Sequence, residues 1–125
     1  MTLLKAMETF DRERDNALSI EAMVDWLSQL DMKISAEILA DRGGEKFEGY
    51  SLDTPFDCVL KAPDEYGEIY GLYLNMKLDY MNGEIARFNN SAMLFNRMFK
   101  ELHDYINRKT PVAKKTSLKA GGIYV

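Results

Sequence analysis

A chain of 125 residues has room for one domain of ordinary size; with 46% apolar and 29% charged residues, eight Gly and three Pro, it is neither a disordered, a collagen-like nor a disulfide-stapled chain. Sixteen Lys and Arg against twenty Asp and Glu leave a net charge of −4, which sets the molecule as a whole against nucleic acid and anionic membrane. One Cys, Cys58, and one His, His103, exclude an internal disulfide, a zinc ribbon and any multi-histidine metal site, and point to a reducing compartment.

The first segment, Leu3 to about Arg14, sets Leu3, Leu4, Met7 and Phe10 on one side and predicts a brief helix. Ser19 then reads as an N-cap, with Glu21 in the first turn and Ile20, Met23, Val24, Leu27, Leu30, Ile34 and Ile38 at helical spacing; this predicts a helix over Ser19–Ala40 that stops at Gly43-Gly44. From Glu45 to Pro63 the apolar residues Phe47, Tyr50, Leu52, Phe56, Val59 and Leu60 lack a helical period. A long ordered loop pinned by its aromatics is expected there, with Phe56–Leu60 too short to form a sheet by itself.

A further helix opens at Pro63-Asp64, with Asp64 as a candidate cap, and carries Tyr66, Ile69, Tyr70, Tyr73, Met76, Lys77 and Tyr80 along one stripe before Asn82-Gly83 ends it. From Glu84, Ile85, Phe88, Ala92, Phe95, Phe99, Leu102 and Ile106 recur at spacings of three and four. With only a turn between them the last two helices form an antiparallel hairpin over Pro63–Arg108 with facing aromatic stripes. Asn89-Asn90-Ser91, three poor helix formers, mark a place for a kink or a fresh start.

Charge is divided along the chain. Residues 1–107 carry 11 Lys and Arg against 20 acids, whereas residues 108–125 carry five cations and no acid, together with Pro111, Gly121 and Gly122. The expectation is an all-α, small helical bundle: a single helical domain over residues 1–109 and a flexible basic tail over 110–125. No run of about 18 apolar residues exists for a membrane helix, and Glu8, Asp11 and Glu13 stand where a signal peptide needs its apolar stretch.

The search for chemistry in the sequence is largely negative. His103 and Asp104 are neighbours that point to different sides of a helix, and no Ser or Cys stands near enough for a triad. Cys58 lies in an apolar run with only Lys61 to stabilise a thiolate, and so reads as a small buried hydrophobe. Asp64, Glu65 and Glu68, like Glu37 and Asp41, read as solvated helix faces, and no phosphate-cradling loop is present. The Tyr66-Tyr70-Tyr73-Tyr80 row has the stacking groups that bases need, but flanking Asp64, Glu65, Glu68 and Asp79 repel phosphates, which leaves core and interface packing. No catalytic residue, cofactor or metal is expected.

The stretch Ile69–Arg108, with Tyr-Leu-x-x-Lys-Leu-Asp at Tyr73–Asp79, then Asn-Gly-Glu, Phe-Asn-Asn-Ser and Leu-Phe-Asn, resembles the small head-tail connector (adaptor, head-completion) proteins of tailed phages and prophages of Gram-positive bacteria. Asp25-Trp26-Leu27 and Leu30-Asp31 are similar to a Trp-Leu-x-x-Leu-Asp pattern upstream in that family. The resemblance implies a non-enzymatic virion protein, monomeric in isolation and residing in the host cytoplasm before assembly. It would form a ring under the portal and link the packaged capsid to downstream connectors at the head-tail junction, with no membrane role and only loose contact with channel DNA. The candidate interface residues are Tyr66, Tyr70 and Tyr73 on the hairpin and Lys114, Lys115, Lys119, Ile123, Tyr124 and Val125 in the tail. The alternative is a cytosolic helical adaptor or regulator that binds a protein partner through an amphipathic groove.

Overall fold

The computed structural model describes residues 1–110. Among them are four α-helices, α1 (Leu3–Glu13), α2 (Ile20–Ile34), α3 (Glu68–Met81) and α4 (Ile85–Lys109), and the fold is all-α. Strand-like pairing is limited to one isolated antiparallel bridge between Thr2 and Val59.

Local chemistry sets the helix starts. The Thr2 side chain accepts from Lys5 N at 3.1 Å to cap α1, which buries Leu3, Ala6, Met7 and Phe10, a stripe of i, i+3, i+4 and i+7. Ser19 caps α2 by accepting from Ala22 N at 3.0 Å, and Met23, Val24, Leu27, Leu30 and Ile34 turn inward. Regular α geometry stops at Ile34, earlier than the sequence predicts. A wider π turn over Ser35–Leu39 and a 3₁₀ turn over Ala40–Arg42 carry the chain to Gly43, whose φ of 77° is the left-handed stop expected of it.

Asp64 lies in a 3₁₀ turn, Asp64–Tyr66, and makes no capping bond to α3, so this expectation is corrected. The single stripe expected on α3 is corrected as well. Its buried residues Ile69, Tyr70, Leu74, Leu78 and Asp79 spread around the helix, because α3 is the central element and packs against α1, α2 and α4 at once.

The hairpin turn is as expected: Asn82 ends α3 and Gly83 adopts φ 72°. Through Asn89-Asn90-Ser91, α4 runs unbroken. Asn costs a helix only about 0.5–0.7 kcal/mol per residue, whereas burying an aromatic side chain against α3 contributes about 1.5–3 kcal/mol. Phe88 and Phe95 flank the weak spot and stack on Tyr80 and Tyr73, with centroids 5.5 and 5.3 Å apart. Tertiary packing therefore decides the outcome.

Residues 44–63 form an irregular strap that crosses α1 and α2. Leu3 N donates to Cys58 O, Leu4 N to Phe56 O and Leu60 N to Met1 O, while Leu60 and Ala62 enter the core. Gly49 is required in this strap: its φ is 101°, and a Cβ there would stand 2.7 Å from Ser28 Oγ, the atom that accepts from Tyr50 N. The basic tail, including Lys114, Lys115, Lys119, Ile123, Tyr124 and Val125, lies outside the described residues.

Candidate functional site

Two buried carboxylates organise the polar interior. Asp31 follows Leu30 on the inward face of α2, one turn after Leu27, and is fully buried. Its Oδ1 accepts from Tyr70 OH at 2.7 Å; its Oδ2 accepts from Tyr50 OH at 2.5 Å and from Lys61 N at 3.0 Å. Tyr70 OH in turn accepts from Ala62 N at 2.8 Å. One carboxylate on α2 thereby holds α3 and both halves of the strap. Burial raises the Asp31 pKa above the ordinary carboxylate value, against the lowering effect of its three donors. Burial likewise pushes the Tyr50 and Tyr70 hydroxyls up, and neighbouring Asp31 adds to it.

Asp79, near the end of α3, is the second. It accepts from Arg14 at 2.7 Å and from Ser91 Oγ at 2.6 Å, and Arg87 stands 3.9 Å away. Arg14 also donates to Asn75 Oδ1 at 2.8 Å, tying the end of α1 to α3. Burial pushes the Asp79 carboxyl up, but the hydroxyl and guanidinium donors outweigh it and its pKa is lowered. Asp79 is therefore no part of an exposed acidic flank, which corrects the reading of that row.

The two carboxylates give opposite pH dependences. With a raised folded pKa, the Asp31 contribution is fully present below the unfolded carboxylate value and is lost as pH rises through the folded one. With a lowered folded pKa, the Asp79 contribution is present above the unfolded value and is lost as pH falls through the folded one. Denaturant melts across the acid range should show the stability of the wild type relative to Asp31→Asn falling as pH climbs from about 4, and relative to Asp79→Asn falling as pH drops below about 4. Parallel curves for wild type and both variants would remove these assignments.

Neither carboxylate is placed for turnover. Asp31 has no exposed edge to meet a substrate, and Asp79 is spent on its donors. Cys58 is half-buried in the strap, where burial and then the charge of Asp31 raise its thiol pKa and disfavour the thiolate. Among the described residues no group of three or more His, Cys, Asp or Glu is arranged to hold a metal ion, and no helix is long and apolar enough to cross a membrane.

The predicted tyrosine row does not form one surface. Tyr70 is fully buried and bonded to Asp31, so it is withdrawn as an interface residue: the core claims its ring and the carboxylate its hydroxyl. Tyr66 is half-buried with its ring 4.9 Å from that of Tyr105, and Tyr73 is half-buried against Phe95, its hydroxyl 3.3 Å from Gln29 Oε1. Exposed apolar surface gathers instead at the hairpin tip, where Tyr80, Met81 and Ile85 are 70%, 56% and 65% exposed. Continuous with it along α4 are the exposed, uncharged residues Ala86, Asn89, Asn90, Met93 and Asn96.

The other end of the hairpin holds a groove of about 410 Å³. Leu39, Pro63, Tyr105 and Ile106 line its apolar part and Arg42, Lys61 and Lys109 its rim. Arg42 is fixed by donating to Ile38 O and, at 3.0 Å, to Thr110 O. Lys61 Nζ lies 4.9 Å from the Phe47 ring centroid and Lys109 Nζ 5.5 Å from that of Tyr105. These cations come from three separate segments of the chain, and sequence spacing alone does not reveal their meeting. Comparison with protein-family models, with curated proteins and with solved structures returns no match to this chain.

Proposed function

We propose that this protein is a non-enzymatic structural protein of the virion, a head-tail connector that assembles as a ring beneath the portal of a packaged capsid and offers a surface to later connector proteins. The observation that carries the reading is the hairpin tip. A chain with 29% charged residues keeps Tyr80, Met81, Ile85, Ala86, Asn89 and Met93 exposed at the hairpin tip and along α4, where Glu84 and Arg87, ion-paired with one another, are the charged neighbours. Depletion of charge with enrichment in Tyr and Met is the compositional mark of the centre of a protein interface. The resemblance over Ile69–Arg108 falls on the same hairpin, and the acidic excess of residues 1–107 suits a channel wall along which DNA slides without sticking.

The test is reconstitution. Purified protein added to packaged, tail-less capsids bearing the portal should bind at the portal vertex as a ring visible by electron microscopy. His103→Ala and Cys58→Ser should assemble as the wild type does, apart from a modest stability cost at the half-buried thiol. Loss of assembly in a stably folded His103→Ala variant, or failure of the wild type to dock on any portal-bearing capsid from its own gene neighbourhood, would overturn the reading. The groove favours a second reading, a helical adaptor that binds a protein partner through that surface.

A further inference from the structure

From the groove at the C-terminal end of α4 we infer a docking site for an acidic peptide segment that carries an apolar anchor. This inference stands on the groove and holds under either reading of function.

Charge complementarity selects the occupant. Arg14, Lys33, Arg87 and Lys100 each have a carboxylate partner within 4 Å. Arg42, Lys61 and Lys109 have none among the described residues, although residues 1–107 hold nearly twice as many acids as bases. Three cations of an acidic chain thus converge on one concavity, none in a direct ion pair, with the Asp31 and Glu65 carboxylates near Lys61 and Lys109 as the adjacent opposite charges. The Arg42 guanidinium is anchored by two backbone carbonyls, and the two ammonium groups rest over aromatic faces, so the rim is built before any ligand arrives. The neighbouring Glu65 carboxylate is taken up by Tyr105 OH at 2.9 Å.

The apolar part decides between anions. Leu39, Pro63, Tyr105 and Ile106 offer nothing to a bare phosphate or a sugar-phosphate strand, whereas an aliphatic or aromatic side chain fills the space between them. Carboxylates flanking that side chain then reach the rim. On a second copy the exposed acids with apolar neighbours, Glu21 beside Ile20, Asp53 beside Leu52 and Asp57 near Val59, each offer one short anchor only, so the occupant inferred is a peptide segment and dimerisation is an outcome of the test.

The probe is a fluorescein-labelled peptide of three Glu-Glu-Leu-Leu repeats, titrated by anisotropy into the full chain, with a Lys-Lys-Leu-Leu counterpart as the charge control. The acidic peptide should bind, the basic one should not, and affinity should fall as salt rises. Lys61→Gln combined with Lys109→Gln should weaken binding several-fold in a protein that remains folded by circular dichroism, while Lys5→Gln, the same change on exposed α1, should leave it within about twofold. Amide shift perturbation should centre on Leu39, Tyr105 and Lys109. Equal binding of both peptides, equal binding by the double variant, or perturbation centred elsewhere would overturn the inference. So would concentration-dependent dimerisation that the double variant abolishes, which would assign the groove to a second copy.

Discussion

Replacing Asp31 with alanine is expected to cost about 3–5 kcal/mol, the magnitude that follows when the shared acceptor of a buried hydrogen-bond network is removed. The substitution strips the acceptor from Tyr70 OH, Tyr50 OH and Lys61 N together. Half-buried Tyr50 can turn to water, but Tyr70 is fully enclosed: its oxygen still accepts from Ala62 N, while its O–H donor is left without an acceptor. A domain of this size should then melt roughly 15–30 °C lower. Asp31→Asn keeps the shape and one acceptor oxygen and should cost about half as much. Tyr70→Phe made on top of Asp31→Ala should recover little, since it deletes the orphaned O–H donor but strips the buried Ala62 N of its acceptor. Thermal melts of the wild type, Asp31→Ala, Tyr70→Phe and the double variant form a double-mutant cycle that measures the coupling directly. A shift of only one or two degrees for Asp31→Ala would mean that water enters the site and that the strap is not held there.

Truncating Phe95 to alanine should rank next. Its ring is 3% exposed and packs between Tyr73 on α3 and Phe99 one turn on, with centroids 5.3 and 5.8 Å away. Removing a ring so enclosed costs about 3–5 kcal/mol, the transfer term and the cavity together. Such a loss consumes a large share of the ~5–15 kcal/mol that keeps a domain folded. Phe99 lies on the same face of α4 but is half-buried, with Lys33 Nζ 5.1 Å from its centroid, so Phe99→Ala should cost about 1–2 kcal/mol. Urea denaturation of the two variants separates them. Equal costs would show that the hairpin seam is centred between the rings rather than on Phe95.

The elements most legible in the sequence are those fixed by neighbours a few residues away. Ser19 with Glu21, and Asn82 followed by Gly83, announce a helix start and a turn because caps and positive φ are local chemistry. The period of Phe88, Phe95, Leu102 and Ile106 finds α4 for the same reason. What escapes is set by distant partners. Reading α3 as one stripe presumes a single neighbour, and a central helix with three neighbours has no single stripe to read. Asp31 and Asp79 pass for surface acids until Tyr50, Lys61 and Tyr70 meet the first and Arg14 the second, across as many as 65 residues. The sequence does carry a trace of the first: a carboxylate among Leu27, Leu30 and Ile34 stands on a face where every neighbour is apolar.

The strap shows what such a carboxylate does for a segment without regular secondary structure. Lys61 N and Ala62 N donate to Asp31 and to Tyr70 OH, acceptors that are themselves fully buried, so neither amide proton meets solvent while the strap is seated. Hydrogen exchange at these two positions therefore has to wait for an opening that breaks the Asp31 and Tyr70 bonds together, and it should be as slow as at core helical amides. The amide of exposed Leu52 in the same strap should exchange at a rate close to that of an unstructured peptide. Residues 44–63 thus behave as two kinetic populations, a free outer bend and a closing end whose release reports the parting of α2 from α3.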